Sequence, residues 1–141
     1  MHSSAVQIIE EIYAPFSRRD VAAVFRRFDQ QIEIVQTTAL PWGGVYRGHE
    51  GARDFFSKLT QQINSTVSIE RMIDAVEHVI VVGRTAGRVN ATGATYDVPI
   101  AHVWNVEGEL VKRVEFHIDT PRMLAALAKA DERTGREQPP A

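Results

Sequence analysis

Apolar and polar positions change their period about half-way along the chain. Up to residue 63 most apolar residues recur at spacings of three and four, as in helices that bury one stripe; from residue 66 they alternate, as in half-buried strands. Ser4 with Gln7 three residues on has the form of a capping box, and Ile9, Ile12, Tyr13 and Phe16 trace the stripe of a first helix. Asp20 caps a second, shorter helix with Val21, Val24, Phe25 and Phe28 on its buried side. Residues 32–37 interrupt this period with a β-branched strand, after which Pro41, Gly43 and Gly44 break the pattern around Trp42 and leave a loop or short irregular strand. Residues 48–51 open a third helix that buries Ala52, Phe55, Phe56, Leu59 and Ile63.

The second half predicts four long antiparallel strands at residues 67–76, 79–88, 96–106 and 109–119. A two-residue turn at Glu107-Gly108 would join the last two, setting His102 opposite Arg113, Ile100 opposite Glu115, Val98 opposite His117 and Tyr96 opposite Asp119. Arg113, Glu115, His117 and Asp119 then share a face with Tyr96, His102 and Trp104, a mixture suited to lining a pocket. Thr120 as cap and Pro121 at the first helical position begin a closing helix with Met123, Leu124 and Leu127 as its stripe. The expectation is one α+β domain over residues 5–132, a curved antiparallel sheet covered by N-terminal helices around a cone-shaped cavity, followed by a frayed polar tail over 133–141.

Composition narrows the chemistry. The 141 residues hold no cysteine, which excludes disulfides, thiolate metal sites and cysteine nucleophiles. With 16 basic against 18 acidic residues and no basic cluster, nucleic acid is not an expected partner. No apolar run approaches the roughly 20 residues of a membrane span, and the first residues lack the pattern of a leader, so a cytoplasmic protein without membrane contact is expected. His49-Glu50 and His117-Ile118-Asp119 find no third ligand at useful spacing, so neither a metal nor another cofactor is expected.

Candidate site residues follow from the pocket-like hairpin. Asp119 can serve as a base if desolvation raises its carboxyl above the ordinary ~3.9, although an aspartate between strand and helix is also an ordinary turn residue. His117 can relay a proton near neutral pH, and His102 beside Trp104 can face the pocket or sit in the core bonded to Glu115 or a carbonyl. Arg113 and Glu115 shape the site by pairing, while Tyr96 and Trp104 supply walls. Trp42 and Tyr46 flank the glycines and can cover an apolar ligand, whereas Tyr13 and Phe16 read as core.

Tyr13-Ala14-Pro15-Phe16, Arg19-Asp20-Val21, residues 41–51, Ala101-His102-Val103-Trp104 and Asp119-Thr120 resemble the SnoaL-like branch of the nuclear-transport-factor-2-like superfamily, over about residues 5–130. The resemblance implies a conical α+β barrel, a homodimer formed through the sheet, and a site in which Asp119 is the acid/base and His102 its partner. It implies a cofactor-free cyclase, isomerase or dehydratase acting on a small apolar carbonyl compound, with His102 and His117 orienting the substrate or steadying an enolate oxygen. The alternatives are a non-catalytic ligand-binding module of the same shape and an epoxide hydrolase, for which Arg84 and Asp97 are loose candidates. Glu33 stands near the position where a ketosteroid isomerase carries its aspartate. Val103, Val114, Phe116 and Ile118 offer an apolar surface to a second copy or to the helices.

Overall fold

The computed structural model describes residues 4–129. Ser4 caps helix α1 (Ala5–Ser17) through a reciprocal box: its hydroxyl accepts from the Gln7 amide at 3.1 Å, and the Gln7 side chain accepts from the Ser4 amide at 2.9 Å. Asp20 caps α2 (Val21–Phe25) by accepting from the Ala23 amide at 3.2 Å. There follow β1 (Phe28–Gln36), β2 (Gly44–Arg47), α3 (Gly48–Gln62), β3 (Ile63–Ala75), β4 (His78–Val89), β5 (Thr95–Glu107), β6 (Leu110–Ile118) and α4 (Thr120–Ala128). Phe28 therefore begins a strand and does not belong to the stripe of α2, and Ile63 opens β3 instead of closing α3. The expected tail at 133–141, with the end of the expected domain, lies outside the described residues.

The helices pack on one side of a single curved, open sheet of strand order β2-β1-β6-β5-β4-β3. This is the expected α+β arrangement with one correction to its pairing. β1 runs parallel to β6, so the sheet is not wholly antiparallel. A parallel pair needs a long connection, and here the whole of β2 to β5 supplies it. Both edges are blunted: β2 is only four residues long, and β3 exposes Glu70, Arg71 and Asp74.

The final hairpin departs from the expected register. The turn residues are Gly108 and Glu109, with Gly108 at φ +62° in the first central position, where the tight hairpin turns that suit twisted strands need a glycine. That moves the pairing by two residues and leaves every side chain on its expected face, as in Val106 opposite Val111. A bulge at Lys112 then inserts one more residue, after which Asn105 faces Arg113, Trp104 faces Val114 and His102 faces Phe116. An odd slip turns the rest of β6 over. Val111 and Val114, three apart, are both buried, which a strand can achieve only across such a bulge.

The core lies between the helices and the inner face of the sheet, with Ile8, Ile9 and Ile12 of α1, Phe55 of α3 and Val79 and Val81 of β4 almost fully buried. At Gly87 the strands β3 and β4 come so close that a Cβ would stand 1.9 Å from the Asn64 carbonyl oxygen. That approach brings the Tyr96 hydroxyl against Ser65, with which it is hydrogen-bonded.

Candidate functional site

Between α1, α3 and the inner face of the sheet lies a largely apolar cavity of about 100 Å³, with Tyr13, Trp42, Phe55, His102, Trp104 and Phe116 in its wall. Its size is of the order of the ~150 Å³ apolar cavity that accepts benzene in another protein. Among its lining residues Arg19 and Thr60 are exposed, which puts its open side beside them.

Two elements, α1 and β5, meet in its polar centre. Trp104 of β5 donates its indole N–H to the Tyr13 hydroxyl at 2.9 Å, and that hydroxyl stands 2.5 Å from His102 Nδ1. An indole N–H can only donate, so the Tyr13 oxygen accepts from it and passes its own proton toward the one acceptor in reach, His102 Nδ1. The imidazole is thereby held as the tautomer that carries its proton on Nε2. Among the described residues the sole sealed side-chain polar atom without a partner is Asn105 Oδ1, so His102 Nε2–H, which meets no protein acceptor, is turned to the cavity that His102 lines. Stacking of the Tyr13 and His102 rings, 6.0 Å apart and within 5° of parallel, and the edge contact of His102 with Phe116 at 4.7 Å fix the ring.

Burial decides the charge of this centre. It pushes the His102 imidazole down to about 3, with nearby His117 adding to the effect. Burial also raises the Tyr13 phenol well above its ordinary range, against the opposing hydrogen bond from Trp104, so the hydroxyl keeps its proton. A second donor is aimed in the same way. Trp42 donates to Gln36 Oε1 at 2.8 Å, which leaves the Gln36 NH₂ for the cavity that this residue lines. Thr85 brings a hydroxyl, and Ser65, next to Tyr96, brings another. No aspartate or glutamate stands among the described lining residues.

The SnoaL-like domain family matches residues 9–114. The chain belongs to this family. No curated protein matches the chain. Solved structures do: an NTF2-like protein from Burkholderia thailandensis E264 is 29% identical with a TM-score of 0.83, over 90% of this chain and 99% of that one. An NTF2-like protein of unknown function from Burkholderia pseudomallei K96243 is 23% identical with a TM-score of 0.84, again over 90% and 99%. TerC, co-crystallised with polyporic acid, is 21% identical with a TM-score of 0.80, over 88% and 98%.

In this SnoaL-like protein the residues expected to converge are divided between two faces of the sheet. His102, Trp104 and Trp42 line the cavity, and Tyr96 lies behind Ser65. Tyr46 stays outside and secures the loop, donating to the Trp42 carbonyl at 3.0 Å. Arg113, Glu115 and His117 lie outward on β6, beyond the bulge, so the pocket-facing charged row expected of the hairpin does not exist. Arg113 donates to Glu33 at 2.7 Å, Arg47 reaches the same carboxylate at 3.3 Å, and Glu115 stands between Arg113 and His117 at 3.7 and 3.4 Å. Glu33 is thus tied up outside the cavity. Asp119 also lies outside the lining, level with Pro99 and not opposite Tyr96. It is the N-cap of α4, accepting from the Arg122 amide at 3.1 Å, so the helix starts one residue earlier than expected, with Thr120 inside it. Arg84 and Asp97 pair at 2.7 Å away from the cavity, which leaves, among the described residues, no carboxylate–arginine set around it of the kind an epoxide hydrolase would need. Val114, Phe116 and Ile118 point inward, and only Val103 of the four residues offered to a partner lies outward.

Residues that reasoning from the chain had assigned to the core, or passed over, form much of the wall. Tyr13 had the signal of any stripe residue. Gln36 had a clearer one, a polar side chain at the buried parity of Ile32 and Ile34. Among the described residues, no helix is long and apolar enough to cross a membrane.

Proposed function

We propose that the protein binds a compact, apolar carbonyl compound, with the carbonyl oxygen accepting a hydrogen bond from His102 Nε2–H and the ring lying among Phe55, Trp104 and Phe116. What supports this reading above all is the one-way relay from Trp104 through Tyr13 to His102, which presents a neutral N–H donor inside an apolar wall. An apolar ligand without an acceptor would leave that donor unpaired. The co-crystallisation of TerC with polyporic acid is consistent with an organic ligand for this fold.

Acetophenone and α-methylstyrene, which differ by a carbonyl oxygen against a methylene, test it. One hydrogen bond in a closed site is worth about 1 kcal/mol or more, so acetophenone is expected to bind the wild type roughly tenfold more tightly by calorimetry. His102→Leu should abolish the difference, and His102→Gln, which keeps an N–H, should retain most of it. Equal affinities for the two compounds in the wild type would discard the reading.

Catalysis on the same ligand is a second reading, favoured by that fixed neutral donor, which is suited to steadying an enolate oxygen as charge develops. Asp119 is the proposed base, reaching the substrate only through movement of the start of α4. Asn caps helices as well as Asp does, so Asp119→Asn is expected to change stability by less than about 0.5 kcal/mol. Deuterium exchange at the methyl group of bound acetophenone, followed by NMR, should cease in that variant. Exchange that continues unchanged removes Asp119 from the mechanism. For quaternary structure we propose a homodimer through the outward face of β4 to β6, where Ile80, Val82, Ala101 and Val103 lie beside the charged row, and sedimentation equilibrium reads its mass directly.

A further inference from the structure

The cavity mouth carries a cation whose chemistry the carbonyl reading leaves unused. Helix α1 ends in a paired motif in which the Asp20 amide donates to the Pro15 carbonyl at 2.9 Å and the Arg19 amide to that of Phe16 at 3.0 Å. The motif needs a left-handed backbone at the residue after the cap, and Arg19 takes it with φ 61°. Glycine is the usual occupant of that position, because a side chain there is strained. Arginine is there instead, and its side chain reaches the cavity lining beside Thr60 and Ser65.

The guanidinium is sparingly used. Nη2 donates to Asn64 Oδ1 at 2.8 Å, a neutral partner that also positions the group across the gap from α1 to β3. Among the described residues Arg19 forms no ion pair, although six other lysines and arginines do. With no carboxylate among the described lining residues either, the remaining donors of a group shaped for two-pronged binding of a carboxylate stand at the entrance of an apolar hollow. Further inside is the His102 donor, oriented by Tyr13, six residues before Arg19.

We infer that the ligand is an organic anion, a cyclic or aromatic keto acid whose carboxylate is clamped by Arg19 at the cavity mouth while its carbonyl oxygen reaches His102. This rests on the carbonyl reading and narrows its substrate class, making Arg19 a specificity-determining residue.

The test compares 4-acetylbenzoate with acetophenone by calorimetry in the wild type, Arg19→Gln and Arg19→Gly. A charge-assisted contact predicts at least about a tenfold advantage for the acid in the wild type, reduced by added salt and lost in both variants. Acetophenone should bind all three proteins alike. Arg19→Gly relaxes the backbone, so its Tm is expected to hold or rise while the acid's advantage disappears, which separates loss of recognition from loss of fold. An acid that binds no better than the ketone, or an advantage that survives in Arg19→Gln, overturns the assignment even with acetophenone still preferred over α-methylstyrene. If the acid's affinity depends on Arg19 but acetophenone shows no preference over α-methylstyrene, the carboxylate clamp stands and the His102 contact falls. Binding of neither compound sinks both.

Discussion

Replacing Tyr13 with phenylalanine is expected to cost about 2–4 kcal/mol of stability and to erase the preference for carbonyl ligands in a single step. One hydroxyl serves two buried partners, accepting from Trp104 and donating to His102. Its removal leaves an indole N–H without an acceptor and a ring nitrogen without a donor, each costing about 1–3 kcal/mol when buried. The imidazole is then no longer held to one tautomer, and the form with its proton on Nδ1 turns an Nε2 lone pair toward the cavity where a carbonyl oxygen would sit. Urea unfolding measures the loss, and ¹⁵N NMR of the imidazole reports the tautomer directly, with the proton on Nε2 in the wild type and displaced in the variant. Trp104→Phe closes the cycle: the double variant should lose less than the two single losses together, because both act on one chain of hydrogen bonds. A Tyr13→Phe protein within about 0.5 kcal/mol of the wild type, with its tautomer unchanged, would show that the relay directs nothing.

The starts of α1 and α2 were legible because their signals are local. Ser4, Gln7 and Asp20 make the bonds that their types and spacing call for, and the β-branched run in β1 forms its strand. The wall of the cavity was legible on β5, where Trp104, His102 and Ile100 alternate inward as read. It was misread on β6 because a bulge is not a local signal. Lys112 is an unexceptional strand residue, yet the step at that position exchanges the two faces of all that follows. Its cause is energetic. A regular β6 that buries Val111 would have to bury Arg113, Glu115 and His117 as well, and send Val114, Phe116 and Ile118 to water. The extra residue lets Val111 and Val114 both go inward and keeps the ionisable groups among their partners outside. Uniformly apolar even positions from 114 to 118 were the available clue, and they outweigh any inference from a turn of uncertain placement. At Asp119 the local signal and the resemblance point to different roles. Its place between strand and helix was read as catalytic on resemblance, while its local chemistry, a carboxylate one residue before a helix, describes the cap that it forms.

Acidification should destabilise the protein well above the range in which carboxylates titrate, and His102 is the expected cause. Its imidazole titrates at about 3 in the folded protein and near ~6.5 in an unfolded chain. Between those values the unfolded chain binds a proton that the folded protein refuses, so unfolding becomes easier as pH falls. The loss is absent above pH ~6.5, grows by at most about 1.4 kcal/mol per unit below it, and reaches about 2 kcal/mol by pH 5. Asp29 acts with the same sign but later. The Lys112 hydrogen bond holds its carboxyl below the ordinary carboxylate value, so its contribution is lost only as pH falls through that lower range. His102→Gln isolates the histidine, because glutamine can accept from Tyr13 and still offer an N–H to the cavity without titrating. The stability difference between wild type and His102→Gln should be flat from pH 9 to 7 and move by about 2 kcal/mol in favour of the variant by pH 5. A difference that stays constant over that whole interval would mean that His102 takes up its proton in the folded state as readily as outside it. Carbonyl binding should meanwhile hold constant from pH 8 to 5, because the donor is the neutral N–H throughout. Stability that depends on pH, beside ligand affinity that does not, is the combined signature of an imidazole kept uncharged by its burial and aimed by its neighbours.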